Sequence, residues 1–573
     1  MANIMSQKDV RNHVHRNGFD LSFRNAFTAK VGQILPVFCK EVLPGDKWSI
    51  DLNTFTRTQP VQTAAFTRIQ EYFDFYFVPT SLLWDKFNNF IVQTENYNHA
   101  PNILSGVAHL DTHPYFTAHD IINYLRTMKD YESRAMGKDI FGFSRFENTL
   151  RLLDYLGYGD FRSLYNLGTV EFDDFALNPF PLAAYQKVCQ DYFRFSQWQT
   201  SSPNLYNFDY ILAPKDLHLK IDLLNSGLAD HDPVMTMFDL CYANYKKDLI
   251  MGLLPRAQFG DAAMATPLMG SQRVSMGRIN PVDPADLSKG FLGDITTYDG
   301  TDPASILGRS GLGPSVFALR FAEATQKWRE ITQSGSLDFK DQLQKHWNVS
   351  TSNDESYRCQ WLGGTSGNIV INEVANTNLS SEASQATLAG KGLTSINKNN
   401  VVNFSSHKYG YIIGVYHAAP VLDWNSSGID RAMLRVKASD YAIPEYDNLG
   451  MEEVPLAVVD ISRGVSEYGD SFDSLGFAPR YWDYKTSRDI VRGSFLTSMK
   501  DWVSPINDEF VLFTGTKGYM LDWRSFKIAP QSVDSIFPVS SAVTSSVDSD
   551  QLLIASFFDT KVVRNLSVSG LPY

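Results

Sequence analysis

The stretch IQEYFDFYFV, residues 69–78, decides the fold class. Phe73, Phe75 and Phe77 fall on one side of an extended chain, and Asp74 and Tyr76 on the other. A period of two built from aromatic residues predicts a half-buried strand of an antiparallel sheet. Working outward, Trp48, Ile50 and Leu52 alternate with Ser49, Asp51 and Asn53 in the same way. Similar strands are expected at 369–374, 409–417, 434–437, 457–461, 510–514 and 552–563. The first and last strong strands thus sit near opposite ends of the chain. A sheet that uses both ends and tolerates long insertions between its strands predicts a mainly β fold, a jelly roll with elaborated loops.

Helical patterns lie between the strand groups. Phe317, Phe321, Ala324, Trp328 and Ile331 form one apolar stripe at helical spacing, suited to a core or an interface. Ser334-Gly335-Ser336 ends that helix, and Phe339, Leu343 and Trp347 mark the next. Further helices are expected at 121–128 and around 237–253. Two stretches read as exposed loops: 279–314, rich in Gly, Pro and Asp, and 349–406, rich in Ser, Thr and Asn. Residues 1–40 carry Lys8, Arg11, Arg16, Arg24, Lys30 and Lys40 against Asp9 and Asp20, and read as an extended basic arm. The remainder, 41–573, reads as one jelly-roll domain. Its strands are placed near 46–57, 66–79, 409–417 and 552–566, with insertions within about 80–405 and 425–550.

Composition narrows the function. The 573 residues hold 51 Lys plus Arg and 63 Asp plus Glu, a net charge of −12, unlike a simple basic nucleic-acid binder. Aromatic residues reach 13% while charged residues stop at 20%, which argues against disorder and for aromatic area buried internally or against other chains. Cys39, Cys189, Cys241 and Cys359 are far apart in sequence, so neither a zinc ribbon nor a disulfide framework is expected. No apolar run is long enough for a membrane span, and no secretory signal is expected at the N-terminus.

Catalytic patterns are absent. The sequence has no Walker motif, no GxSxG elbow and no HExxH. His109, Asp111 and His113, flanked by His99, His119 and Asp120, have the residue types of a metal site, but Pro101, Gly106 and Pro114 place them in a loop. Adjacent acids such as Glu452-Glu453 and Asp173-Asp174 face opposite ways on a strand and do not make an acid/base pair. The reading is a non-enzyme with no catalytic residues, no metal and no cofactor.

Several segments carry a family resemblance. They are RNGFDLSFRNAFTAKVGQILPVFCKEVLPGDKW (16–48), FTRTQPVQTAAFTRIQEYFDFYFVP (55–79), ALNPFPLAAYQKVCQDYFRFSQW (176–198) and NFDY (207–210). YGYIIGVYHAAPVLDW (409–424), DNLGMEEVPLAV (447–458), FAPRYWDYKTSRDIVRGSF (477–495) and FFDTKVVRNLSVSGLPY (557–573) continue the series. End to end, the chain resembles the major capsid proteins of microviruses, nearer the gokushovirus-like and Bacteroidales-associated branch than the classical coliphage branch. The stretches 279–314 and 349–406 match poorly.

The resemblance implies an eight-stranded antiparallel jelly-roll β-sandwich of the viral-capsid type, with long, partly helical insertions. It implies a T=1 icosahedral shell of identical subunits around circular single-stranded DNA, located in the virion capsid and assembled in the host cytoplasm. The implied partners are further copies of the chain, the packaged DNA, a small basic DNA-binding protein, a DNA pilot protein, a scaffolding protein during assembly and a host cell-surface receptor. Phosphate contacts are expected from Lys8, Arg11, Arg16, Arg24, Lys561 and Arg564. Phe19, Phe23 and Phe27 either stack on unpaired bases or form an apolar helix face packed on the shell floor. Host attachment is expected from 279–314 in preference to 349–406. A carbohydrate-binding or glycosidase-like β-sandwich is the alternative, since sugars stack on Trp and Tyr.

Overall fold

The computed structural model describes residues 15–61, 65–66, 68–92, 112–167, 174–212, 217–220, 236–263, 316–375, 388–462, 474–503, 513–515, 518–537 and 550–568. Among them, nine strands form the main sheet: β1 (Asn17–Asp20), β2 (Phe23–Ala29), β3 (Leu35–Val42), β4 (Lys47–Thr58), β5 (Ile69–Pro79), β6 (Gln360–Ala375), β7 (Leu388–Ser405), β8 (Gly410–Pro420) and β9 (Leu552–Arg564). Neighbours run β1-β9-β4-β7-β6-β5-β8-β3, all antiparallel, with β2 also on β9.

β1 and β2 lie end to end along β9, with Asp20 opposite Lys561 and Phe23 opposite Phe558. They share one position, so nine strands fill the eight expected places. Split between β6 and β7, the order reads β1/β2-β9-β4-β7 in one half and β3-β8-β5-β6 in the other. Strands consecutive in the chain alternate between halves along most of the fold, which is the jelly-roll arrangement. β6 and β7 join the halves: residues 360–369 of β6 pair with β5, and residues 370–375 pair with β7.

The sheet curls until its apolar faces meet. The Phe558 ring of β9 lies 5.5 Å from Phe38 of β3 and 6.2 Å from Phe75 of β5. Phe27 of β2 meets Tyr416 of β8 at 5.3 Å. One carboxylate sits in this interior. Glu71 of β5 accepts from Thr56 Oγ1 of β4 at 2.7 Å and from the Tyr416 hydroxyl at 3.3 Å, and burial pushes its pKa up.

The outer faces of the two halves differ. Over the β3-β8-β5-β6 half lies the insertion between β5 and β6, with helices α1 (Ala118–Asp130), α2 (Arg145–Leu156) and α3 (Phe180–Tyr192). Tyr76 of β5 meets Tyr192 of α3 at 4.6 Å, and Asp74 accepts from Trp361 Nε1 at 2.9 Å. A Thr117–Asp120 capping box opens α1, and Gly157 closes α2 at φ +93°, where a Cβ would be strained. The outer face of the β1/β2-β9-β4-β7 half is open. Along β4, Trp48, Ile50, Leu52, Thr54, Thr56 and Thr58 are buried, while Lys47, Ser49, Asn53, Phe55 and Arg57 are exposed.

Several expectations need correction. Residues 17–42 form three strands, not an extended arm, because Arg24 and Lys40 project from strands whose neighbouring residues pack inward. The expected loop 349–406 contains β6 and β7: its polar residues point outward while Ile369, Ile396 and Val402 are buried. Residues 239–245 are a buried extended strap and 249–252 a turn, so the helix expected around 237–253 is absent. Cys241 and Ala243 bond to Ile34 and Gly32 on one side, and Ala243 and Tyr245 bond to Ile528 and Phe526 on the other. A wholly buried apolar run does not reveal its period. Strands expected at 434–437 and 457–461 are instead flanked or replaced by short 3-10 turns, Arg431–Leu434 and Leu456–Val458. The helices expected at 121–128 and from 317 and 339 onward are present as α1, α4 (Val316–Gln333) and α5 (Phe339–Trp347).

Two outcomes follow for stability. Phe558 is fully buried where the halves meet, so Phe558→Ala should cost about 3–5 kcal/mol, read as a lowered denaturant midpoint. His417 of β8 stacks on Tyr72 at 4.9 Å, and burial pushes its pKa down to about 4. The unfolded chain takes up the proton near pH 6.5 and the folded chain only near pH 4. The contribution of His417 to stability is therefore full above pH 6.5 and declines below it, by about 1.4 kcal/mol per pH unit, until pH 4. His417→Phe keeps a ring and removes the titration, so urea unfolding of the two proteins from pH 7 to pH 4 should diverge in favour of the variant. Asp139, pushed up to about 6 by burial, titrates in both proteins and cancels in that comparison.

Candidate nucleic-acid interface

The open sheet face is built by register. Arg24 of β2, Phe557 of β9, Asn53 of β4 and Asn397 of β7 form one row across four strands. Ala26, Ala555, Phe55 and Ser395 form the next, and Thr28, Leu553, Arg57 and Leu393 the one beyond. Directly opposed side chains in such rows stand about 5 Å apart, so each row is a continuous strip. Lys47 and Lys561 extend the face toward the other end of β4 and β9.

The chemistry of this face is mixed by design of the strands rather than by one motif. Phe55 is 40% exposed, and the Arg57 guanidinium lies 4.9 Å from its ring centre. The acids among these residues are engaged. Asp51 accepts from the Asn400 amide at 2.5 Å, and Asp559 accepts from Ser22 Oγ at 3.1 Å and meets Lys561 Nζ at 3.4 Å. Arg24, Lys47, Arg57 and Lys398 are exposed and make no ion pair among the described residues. Guanidinium and ammonium groups bind phosphate, exposed rings stack on bases, and Asn side chains bond to base edges. A strip holding all three suits an unpaired nucleic-acid strand.

The residues expected from the sequence are divided by the structure. Arg24 and Lys561 are exposed on this face. Arg16 is exposed beside β1 and donates to the Gly45 carbonyl at 2.5 Å. Arg564 is committed elsewhere: its Nε meets the buried Asp46 carboxylate at 3.0 Å, its Nη2 donates to the Glu41 carbonyl at 2.7 Å, and its guanidinium sits 5.2 Å from the Trp48 ring centre. It is a structural clamp rather than a phosphate ligand. Lys8 and Arg11 lie outside the described residues.

Phe19, Phe23 and Phe27 fit neither expectation. They sit on strands and pack into the sandwich. Phe23 stacks on Phe558 at 5.1 Å, and Phe27 meets Tyr155 edge-on at 6.0 Å. The aromatic and basic residues that do face outward, Phe55, Phe557 and Arg57, went unnoticed in the sequence. Their signal is the outward phase of the same alternation that marked Trp48, Ile50 and Leu52 as core.

Other chemistry finds no assembled site among the described residues. No group of three His, Cys, Asp or Glu gathers in metal-ligating distance. His109 and Asp111 lie outside the described residues. His113 faces the Pro114 carbonyl at 2.6 Å, His119 pairs with Asp174 at 3.0 Å, and Asp120 pairs with His218 at 2.6 Å. Burial pushes the Cys189 and Cys359 thiols well up and the Cys39 thiol to about 12, so these are not poised nucleophiles. A pocket of about 30 Å³ beside Asp139, Arg145, Asp239 and Lys527 has room for water only.

The comparisons with known proteins agree with one another. A family model described as capsid protein (F protein) matches residues 9–137 and 162–573, almost the whole chain. The capsid protein VP1 of Bdellovibrio phage phiMH2K is 22% identical over 518 residues, covering 85% of this chain and 84% of that protein. The capsid protein VP1 of Chlamydia phage 1 is 23% identical over 552 residues, covering 84% of each. The chain belongs to the phage capsid protein (F protein) family.

Proposed function

We propose that this capsid protein assembles into a T=1 icosahedral shell around circular single-stranded DNA, with the open β2-β9-β4-β7 face turned toward the genome. The observation that carries the DNA contact is that face itself: cations unpaired by neighbouring acids, an exposed ring under a guanidinium, and a row of amides. Lys8 and Arg11, outside the described residues, add positive charge to the chain just before β1. The function is geometric and needs no catalysis, metal or cofactor.

Net charge supports a further point. At −12 per subunit the shell cannot neutralise an enclosed genome. A small basic DNA-binding protein, with polyamines or divalent cations, supplies the rest. A DNA pilot protein and a scaffolding protein complete the partners, and assembly takes place in the host cytoplasm. Residues 279–314 remain the preferred contact for a host cell-surface receptor and lie outside the described residues. Most of the other candidate, 349–406, is built into the sheet as β6 and β7.

Two measurements test this reading. Sizing of the purified protein should show megadalton particles; a species of 64.5 kDa alone under all assembly conditions would count against a shell. Binding to an oligo-dT strand should weaken with salt. Arg24→Ala and Arg57→Ala should each reduce the log–log salt slope by about 0.7, and Phe55→Ala should cost about 1–3 kcal/mol. Unchanged slopes in both arginine variants would remove this face from the DNA contact.

A further inference from the structure

α4 presents the wrong side to water. Its polar side is held by its own chain. Gln326 Oε1 accepts from the Ala263 amide at 3.0 Å, Gln326 Nε2 donates to Gln258 Oε1 at 2.7 Å, and Arg329 Nη1 donates to the Asp261 carbonyl. At the C-terminal end of the apolar stripe α5 is already in place: Thr332, one turn after Trp328, is buried with its Oγ1 3.0 Å from His346 Nε2. The apolar stripe faces outward: Phe317 is 69% exposed, Phe321 65% and Trp328 51%, with Ala324 exposed between them. An ordinary surface helix buries its apolar stripe and hydrates its polar one. The arrangement is that of a helix waiting for a second surface.

We infer that α4 docks antiparallel against α4 of a second copy of this chain, across a two-fold axis at Ala324. This rests on the assembly reading above. The stripe is self-complementary about that residue. Phe317 lies seven positions before Ala324 and Ile331 seven after; Phe321 lies three before and Trp328 four after. Reversing one copy therefore sets Phe317 against Ile331 of the other, and Phe321 against Trp328, as an isologous contact requires. Ala324 at the axis lets the two backbones approach closely. Exposed Glu323 and Lys327, one position before and three after, flank the axis on the same side of the stripe and come within one helical turn of each other twice, with opposite charge.

The area is sufficient. α5, whose His346 ring lies 6.1 Å from Trp328, carries exposed Phe339 and Trp347. Aromatic side chains bury 150–250 Å² each, so five half-exposed rings per copy give on the order of 1,000 Å² from two copies. With the aliphatic contact of Val316 at the edge of the stripe the contact approaches the ~1,200 Å² at which specific interfaces begin.

The test uses the full chain in assembled shells. Ala324→Cys places two thiols at the axis. With oxidised glutathione taking up the two electrons and protons, these should join as an inter-chain disulfide, seen as a dimer band without reductant. Ser334→Cys, exposed but ten residues from the axis, should stay monomeric, as should the wild type. Phe321→Asp with Trp328→Asp should keep the subunit's thermal midpoint and cut shell yield by about tenfold or more. Intact shells of Ala324→Cys with no dimer band, or a double variant that assembles like the wild type, would overturn the α4 contact and leave the shell standing. Absence of any wild-type particle would instead overturn the shell reading, while a dimer band from Ala324→Cys in that setting would still support the α4 pair.

Discussion

Everything in this molecule depends on the contact that closes the sandwich, where Phe558 of β9 meets Phe38 of β3 and Phe75 of β5. It joins a strand near the C-terminus to strands near the N-terminus, across almost the full length of the chain. Burial of aromatic area drives that closure, and the Phe27–Tyr416 contact adds a second aromatic pair between the halves. Glu71 adds direction. Its hydrogen bonds to Thr56 and Tyr416 tie β5 to β4 in the opposite half and to β8 at its side, and a buried acceptor left without them would be costly.

Closure leaves two outer faces, and their fates divide the functions. The insertion between β5 and β6 covers one with α1, α2 and α3, so Tyr76 becomes part of a second core, with Tyr72 and Asp74 half-buried at its edge. The other face stays open and carries Arg24, Asn53, Phe55 and Arg57. The net charge of −12 is thus an average over unlike surfaces, and a whole-chain figure says little about any one of them. The helical insertion also carries α4, whose polar side is already satisfied by its own chain.

The strands were the most legible elements, and the reasons for the misses are physical. A spacing of four places Phe19, Phe23 and Phe27 on one face of a helix, but four is also twice the strand period, so the pattern cannot choose between them. Ser, Thr and Asn in 349–406 resemble a loop by composition, yet on a half-exposed strand they are simply the outward residues. Counting charge picked out Arg564 together with Arg24. It could not register that Asp46, over five hundred positions earlier, already holds Arg564.

By itself the sequence determined the fold class, the antiparallel character of the sheet, the position of β4, β5, β8 and β9, and the capsid family. These rest on local period and on motifs, which are properties of neighbouring residues. Only the tertiary structure decided which cations remain free, which face stays open and which stripe of α4 points outward. Those depend on what arrives from distant parts of the chain to cover or pair each side chain, and no local pattern records it.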